Sequence, residues 1–222
     1  MRDLIVPAAD LLLGARCAGC GAPALKLCRS CGSAIRPRPV VVALAHPVGD
    51  VTPVAAGINA GVLRRVLVAW KEQGATGLTS VLDHHLAAAV VPLARPGRPL
   101  VLVPVPTSRR SRRARGCDLV DELARASARL LRRAGVDVVV EQALTHARDT
   151  ADQAGLGAEA RWANLASAFR ARGSDCRGAR DIVLVDDIVT TGATLGEGVR
   201  ALSAAGHRPL GAAVVATTPR RS

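Results

Sequence analysis

The chain has 222 residues, enough for one full α/β domain with a small appendage but too few for two large cores. Hydrophobic residues make up 49% and charged residues 22%, a soluble globular balance; aromatics at 1% leave the core to Val, Leu and Ala and count against a base-stacking surface. The formal charge of +12 suits a polyanion such as nucleic acid, held through its phosphates, although an Ala/Arg-rich composition set by codon bias also accounts for it, since only Lys26 and Lys71 are lysine.

Residues 4–13 are apolar, but Asp10 interrupts them, Asp3 flanks them, Pro7 breaks them and Arg16 stands just before Cys17. The stretch reads as neither a membrane span nor a signal peptide, so the protein is expected in the cytoplasm. There, paired cysteines are metal ligands more often than disulfides. Cys17, Cys20, Cys28 and Cys31 are spaced C-x2-C-x7-C-x2-C. Two such knuckles can set four thiolates tetrahedrally around Zn²⁺, and a site closed by four thiolates is structural rather than catalytic. Unmetallated thiols and an iron-sulfur centre are the alternatives. Cys117 and Cys176 lack a knuckle partner and read as ordinary residues. The stiff run Arg36-Pro37-Arg38-Pro39 follows as a connector. Residues 1–45 are therefore expected to form a four-cysteine zinc module with its linker, and 46–222 the main domain.

Ile58, Val62, Val66 and Trp70 recur at helical spacing and predict a helix over 57–70 that ends at or near Gly74. Lys71 stands at its end, either because a compact ammonium is needed there or because a helix C-terminus favours any cation. Strands and helices then alternate: an apolar strand over 100–105, a helix over 118–133, a β-branched strand over 136–140, a buried strand over 182–185, a helix over 194–205 and a last strand over 210–217. This alternation predicts parallel strands covered by helices on both faces, with ligands bound beyond the strands' carboxyl ends. Arg109, Arg110, Arg112, Arg113 and Arg115 crowd the loop after the first of these strands. Guanidinium groups match phosphate oxygens, and a solvated basic turn is the plain alternative. The five histidines form no metal pattern, and neither a Walker phosphate loop nor a dinucleotide fingerprint is present.

The strongest signal is the run from Leu184 to Leu195, in which an apolar strand delivers Asp186 and Asp187 to a loop of Thr190, Thr191, Gly192, Ala193 and Thr194 that opens a helix. Carboxylates accept hydrogen bonds from vicinal ribose hydroxyls, while Thr hydroxyls, close-approaching backbone N–H groups and the positive helix end suit a phosphate. A phosphorylated sugar is the ligand implied; acids that merely end a strand and a threonine that merely caps a helix would leave the same letters. The run resembles the 5-phosphoribosyl-1-pyrophosphate (PRPP) motif of type I phosphoribosyltransferases: apolar strand, two acids, two variable positions, then Thr-Gly-x-Thr. Leu102-Val103-Pro104-Val105-Pro106, Arg115-Gly116, Gln153, Arg161, Asn164, Phe169, Lys71 with Gly74, and the N-terminal cysteines extend the likeness over almost the whole chain. They resemble the ComF family, a phosphoribosyltransferase-like group associated with competence for DNA uptake in bacteria. Cys117-Asp118 departs from that family, which usually carries an aromatic and Asn there.

The resemblance implies a type I phosphoribosyltransferase fold, a parallel sheet with helices on both faces, beside the zinc module. It implies PRPP held with Mg²⁺ by Asp186 and Asp187 and by Thr190, Thr191, Gly192, Ala193 and Thr194. Pyrophosphate or lid contacts would come from Lys71, Arg109, Arg110, Arg115, Gln153, Arg161 and Asn164. The expected reaction is transfer of a phosphoribosyl group to an unidentified nitrogen acceptor with release of pyrophosphate. The alternative is a non-catalytic accessory protein that binds PRPP or a nucleotide and engages single-stranded DNA or DNA-uptake proteins through its basic surface. An acid-pocket receiver domain would account for Asp186-Asp187 but leave Thr191 to Thr194 unexplained.

Overall fold

The computed structural model describes residues 15–44, 48–147, 167–172 and 180–218. Its centre is a six-stranded sheet of order β1-β2-β8-β7-β3-β4, built from β1 (Val40–Val41), β2 (Pro53–Ala55), β3 (Leu100–Pro104), β4 (Val138–Val140), β7 (Asp181–Val189) and β8 (Pro209–Thr217). Every neighbouring pair is parallel except β1 on β2. A second, two-stranded antiparallel sheet joins β5 (Leu144–His146) to β6 (Phe169–Ala171).

The continuous apolar runs of β3, β7 and β8 follow from burial on both faces. Along each strand successive side chains alternate between two cores: Leu100, Leu102, Val183, Val185, Ala213 and Val215 point to one, Val101, Val103, Ile182, Leu184, Ala212 and Val214 to the other. The first core is closed by α2 (Gly61–Glu72), α3 (Thr79–Val90) and α5 (Leu119–Arg133), through Val66, Leu67, Trp70, Leu82, Leu86 and Leu123. The second is closed by α6 (Ala193–Ala204), through Ala193, Leu195, Val199 and Leu202. The short helices α1 (Arg29–Ala34) and α4 (Arg109–Arg115) lie in the cysteine segment and after β3.

The sheet reverses its winding between β3 and β7. From β3 the chain runs through α5 to β4 on one side, and from β7 through α6 to β8 on the other. In open parallel sheets ligands bind at such a switch point, beyond the carboxyl ends of the strands. No helix among the described residues is long and apolar enough to cross a membrane.

Four predicted elements change in detail. β7 continues to Val189 because Asp186, Ile188 and Val189 keep their register with Val214, Ala216 and Thr217 of β8. The two acids therefore lie inside the strand, not past its end. Ile58 is outside α2: it bridges Thr217, and the Asn59 N–H donates to the Thr217 carbonyl at 2.8 Å. The arginine segment is helical rather than looped, capped by Ser108, whose hydroxyl accepts the Ser111 N–H. β1 arises from the connector and pairs with β2, so the end of the N-terminal segment forms one edge of the main sheet.

Candidate functional site

β7 brings Asp186 and Asp187 to the switch point with 9% and 3% of their surface exposed. One oxygen of each is used locally: Asp186 Oδ1 accepts the Asp187 N–H at 2.8 Å, and Asp187 Oδ1 accepts the Ile188 N–H at 2.9 Å. The other oxygen of Asp187 faces Lys71, whose Nζ is 2.5 Å away. Lys71 reaches it from the last turn of α2, where a cation also meets the negative end of the helix.

These charges set one another. Burial and the neighbouring Asp187 push Asp186 well above the ordinary carboxylate range. Burial alone would raise Asp187 too, but the Lys71 ammonium outweighs it and holds Asp187 below that range. Burial also opposes the charge on Lys71, yet Asp187 and then Asp186 more than compensate, and the ammonium is held more tightly than usual. Two adjacent buried carboxyls thus share one cation, and their pKa values are pushed in opposite directions.

Past Val189 the loop turns through Thr190 and Thr191 into α6. Gly192 adopts φ +85°, and a Cβ there would lie 2.5 Å from Leu44 Cδ1 and 3.0 Å from Val48 Cγ2. The left-handed backbone favours glycine, and a side chain would also have to displace the end of Leu44. The first intrahelical bond runs from Gly196 N–H to Gly192 O at 2.8 Å, so the N–H groups of Ala193, Thr194 and Leu195 precede any helical acceptor. Thr191 Oγ1 lies 3.4 Å from the Ala193 nitrogen, too long to occupy the hydroxyl firmly. A row of donors therefore opens at the positive end of a twelve-residue helix, next to a carboxylate pair.

On the β3 side, Thr107 is clamped. Its hydroxyl donates to Asp118 Oδ1 at 2.8 Å and its N–H to Asp118 Oδ2 at 3.3 Å, while Asp118 also caps α5 through the N–H groups of Val120 and Asp121. His146 Nε2 donates to the Thr107 carbonyl at 3.1 Å. The departure at Cys117-Asp118 therefore has a structural role: Asp118 ties the loop after β3 to the start of α5. The rule that an acid before an apolar helical run is an N-cap could have found it. Arg109 and Arg110 fall in the first turn of α4, Arg112 and Arg113 are exposed, and Arg115 is near enough to Lys71 to act against its charge. Gln153, Arg161 and Asn164 lie outside the described residues.

Phe169 anchors β6. Its ring meets His146 edge-on at 5.2 Å, its N–H donates to Glu197 Oε1 at 2.9 Å, and its carbonyl accepts Arg200 Nη2 at 3.0 Å. Arg200 in turn grips both oxygens of the buried Glu197 at 2.7 and 2.8 Å. The single buried glutamate of α6 gave no periodicity or spacing signal in the sequence.

Away from this site, the sulfur atoms of Cys17, Cys20, Cys28 and Cys31 all lie within 4.8 Å of one another and can hold a metal ion. The Cys20–Cys28 sulfur separation is 3.7 Å. Tetrahedral Zn–S bonds of about 2.3 Å give edges of about 3.8 Å. Cys17 Sγ accepts the N–H groups of Gly19 and Cys28, each at 3.3 Å, and Cys28 Sγ accepts that of Cys31. Despite burial these donors bring Cys17 down to about 6, whereas burial and the surrounding sulfurs push Cys31 up to about 12. Thiolates this crowded oppose one another's charge, and a cation at their centre would let all four ionise. Neither a family model nor a curated protein matches the chain.

Proposed function

We propose that this chain binds PRPP at the carboxyl ends of β3 and β7, in a type I phosphoribosyltransferase fold akin to the ComF family, and transfers its phosphoribosyl group to a nitrogen acceptor. The observation that carries the reading is one juxtaposition: the Asp186–Asp187 pair is followed within five residues by the Gly192 turn and the open N-terminus of α6, at the sheet's switch point. A sugar diol and a phosphate separated by one ribose ring match that order of acceptors and donors.

In this reading Asp186 and Asp187 accept hydrogen bonds from the ribose hydroxyls. The N–H groups and hydroxyls of Thr190 to Thr194 hold the 5-phosphate. Arg115 of α4 and the Thr107 loop, fixed by Asp118, would face the pyrophosphate. The bond from the anomeric carbon to pyrophosphate breaks, the nitrogen lone pair forms the new bond, and the acceptor gives up its proton. Fixed donors around the leaving group stabilise the transition state. Mg²⁺ bound with PRPP would neutralise the charge that gathers on the leaving oxygens. The four-cysteine cluster, by its donor set and sulfur separations, suits a structural Zn²⁺, which in the cytoplasm would keep four reduced thiols in use.

The exposed arginines of the cysteine module and α2, Arg29, Arg36, Arg38 and Arg64, together with a net charge of +12, favour a second reading in which the PRPP-loaded protein engages single-stranded DNA or an uptake partner without catalysis. Incubation with PRPP, Mg²⁺ and a panel of bases and amines separates the two. Acceptor-dependent pyrophosphate release is expected of the transferase; PRPP binding without release from any acceptor would leave only the accessory role.

A further inference from the structure

α2 is fixed at both ends. Near its start, Val62 packs on the cysteine cluster and Arg65 Nε donates to the Gly19 carbonyl. Near its end, Trp70 is fully buried and its indole N–H donates to Thr79 Oγ1 at 2.9 Å. Lys71 therefore leaves the helix from a fixed point. Its side chain keeps 42% of its surface exposed, while that of Asp187 keeps 4%. The ammonium thus stands between solvent and the one Asp187 oxygen that no backbone N–H occupies. The charged groups around Lys71 are Asp187 and Asp186 from β7, which attract it, and Arg115 from α4, which repels it.

We propose that Lys71 is an internal counter-ion that closes the carboxylate pair while the site is empty, and that a sugar engaging Asp187 must expel the ammonium. The inference rests on reading Asp187 as a ligand-holding carboxylate. A diol hydroxyl and the ammonium compete for the same oxygen, and a buried carboxylate left with neither would be costly, so the exchange is concerted. Arg115, which acts against the charge on Lys71, lowers the cost of release. The site in its empty state is held shut by its own lysine, and opening it is part of binding.

Because the chain has only two lysines, amine-selective methylation read by peptide mass spectrometry reports Lys71 cleanly, with Lys26, which donates to Ser80 Oγ at 2.6 Å, as the internal reference. In the full chain at pH 8, Lys71 should be labelled about tenfold more slowly in wild type than in Asp187→Asn, with Lys26 unchanged. Ribose 5-phosphate, which carries the diol and the phosphate but no pyrophosphate, should bind Lys71→Met about tenfold more tightly than wild type. Lys71→Arg, which keeps the cation, should behave as wild type. Equal labelling of Lys71 in wild type and Asp187→Asn would overturn the counter-ion role. So would ribose 5-phosphate binding no tighter in Lys71→Met than in wild type; if wild type still binds PRPP with Mg²⁺, the reading of the site survives that loss. Failure of every variant to bind either ligand would remove both.

Discussion

Asp186 sits where its charge is least welcome: it is buried, beside another carboxylate, and the nearby Lys71 ammonium is taken by Asp187. The folded state therefore gives up the Asp186 proton less readily than the unfolded chain does. A group with a raised folded pKa costs stability as pH climbs from the ordinary carboxylate range through its folded value, and the full cost remains above it. Asp187, with its lowered pKa, works the other way: its contribution is present above the ordinary carboxylate pKa and is lost as pH falls through the folded one. Asp186→Asn keeps the acceptor for the Asp187 N–H while removing the charge. It should raise the melting temperature at pH 7, by a margin that shrinks as pH falls toward about 4, and it should weaken PRPP binding. A melting temperature that is lower, or higher by the same margin at every pH, would mean that Asp186 carries no such strain. A functional group that costs stability is the usual mark of a site rather than of scaffold.

Among the elements, β3 and β8 were legible to within a residue because an uninterrupted apolar run has one plain meaning in a sheet covered on both faces. The extent of β7 was not, since adjacent acids read as the end of a strand. In the protein one oxygen of each carboxyl accepts the N–H of the next residue, Asp187 and Ile188 in turn, so the strand carries both acids inside. α3 escaped notice because Asp83, His84 and His85 break its apolar pattern. The buried His85 is spent on two main-chain carbonyls, Val81 at 3.0 Å and Ile35 at 2.5 Å, which helps seat the end of α1 against α3. The anchoring of β6 on α6 was equally hidden, resting on a single glutamate that no spacing rule distinguishes. Glu197→Ala would leave the Phe169 N–H buried without an acceptor and Arg200 without its carboxylate. A loss of roughly 1–3 kcal/mol in urea denaturation is expected. A loss under about 0.5 kcal/mol, the range of ordinary surface changes, would show that the hydrophobic contacts of Phe169 hold β6 by themselves.

At the level of the whole molecule, the cysteine knuckles and the acid-threonine run are joined by α2, whose helical spacing was legible but whose contacts at its two ends, Arg65 with Gly19 and Lys71 with Asp187, were not. Replacing Cys17 and Cys20 by Ser should abolish about one tightly bound Zn²⁺ per chain and loosen mainly the region before Pro39, because the sheet has its own cores on both faces. Protein purified without chelators and found free of zinc by elemental analysis would refute that assignment. The central claim is that the carboxyl ends of β3 and β7 form a PRPP site completed by a divalent cation. Titration calorimetry of the full chain with PRPP, in Mg²⁺-containing and Mg²⁺-free buffer, tests it most directly, since a divalent cation offsets the charge that a pyrophosphate brings beside the carboxylate pair. Saturable binding with Mg²⁺ that weakens by about a hundredfold or disappears without it, a difference of roughly 2.7 kcal/mol or more, is the predicted result; equal binding in both buffers, or none in either, would contradict it.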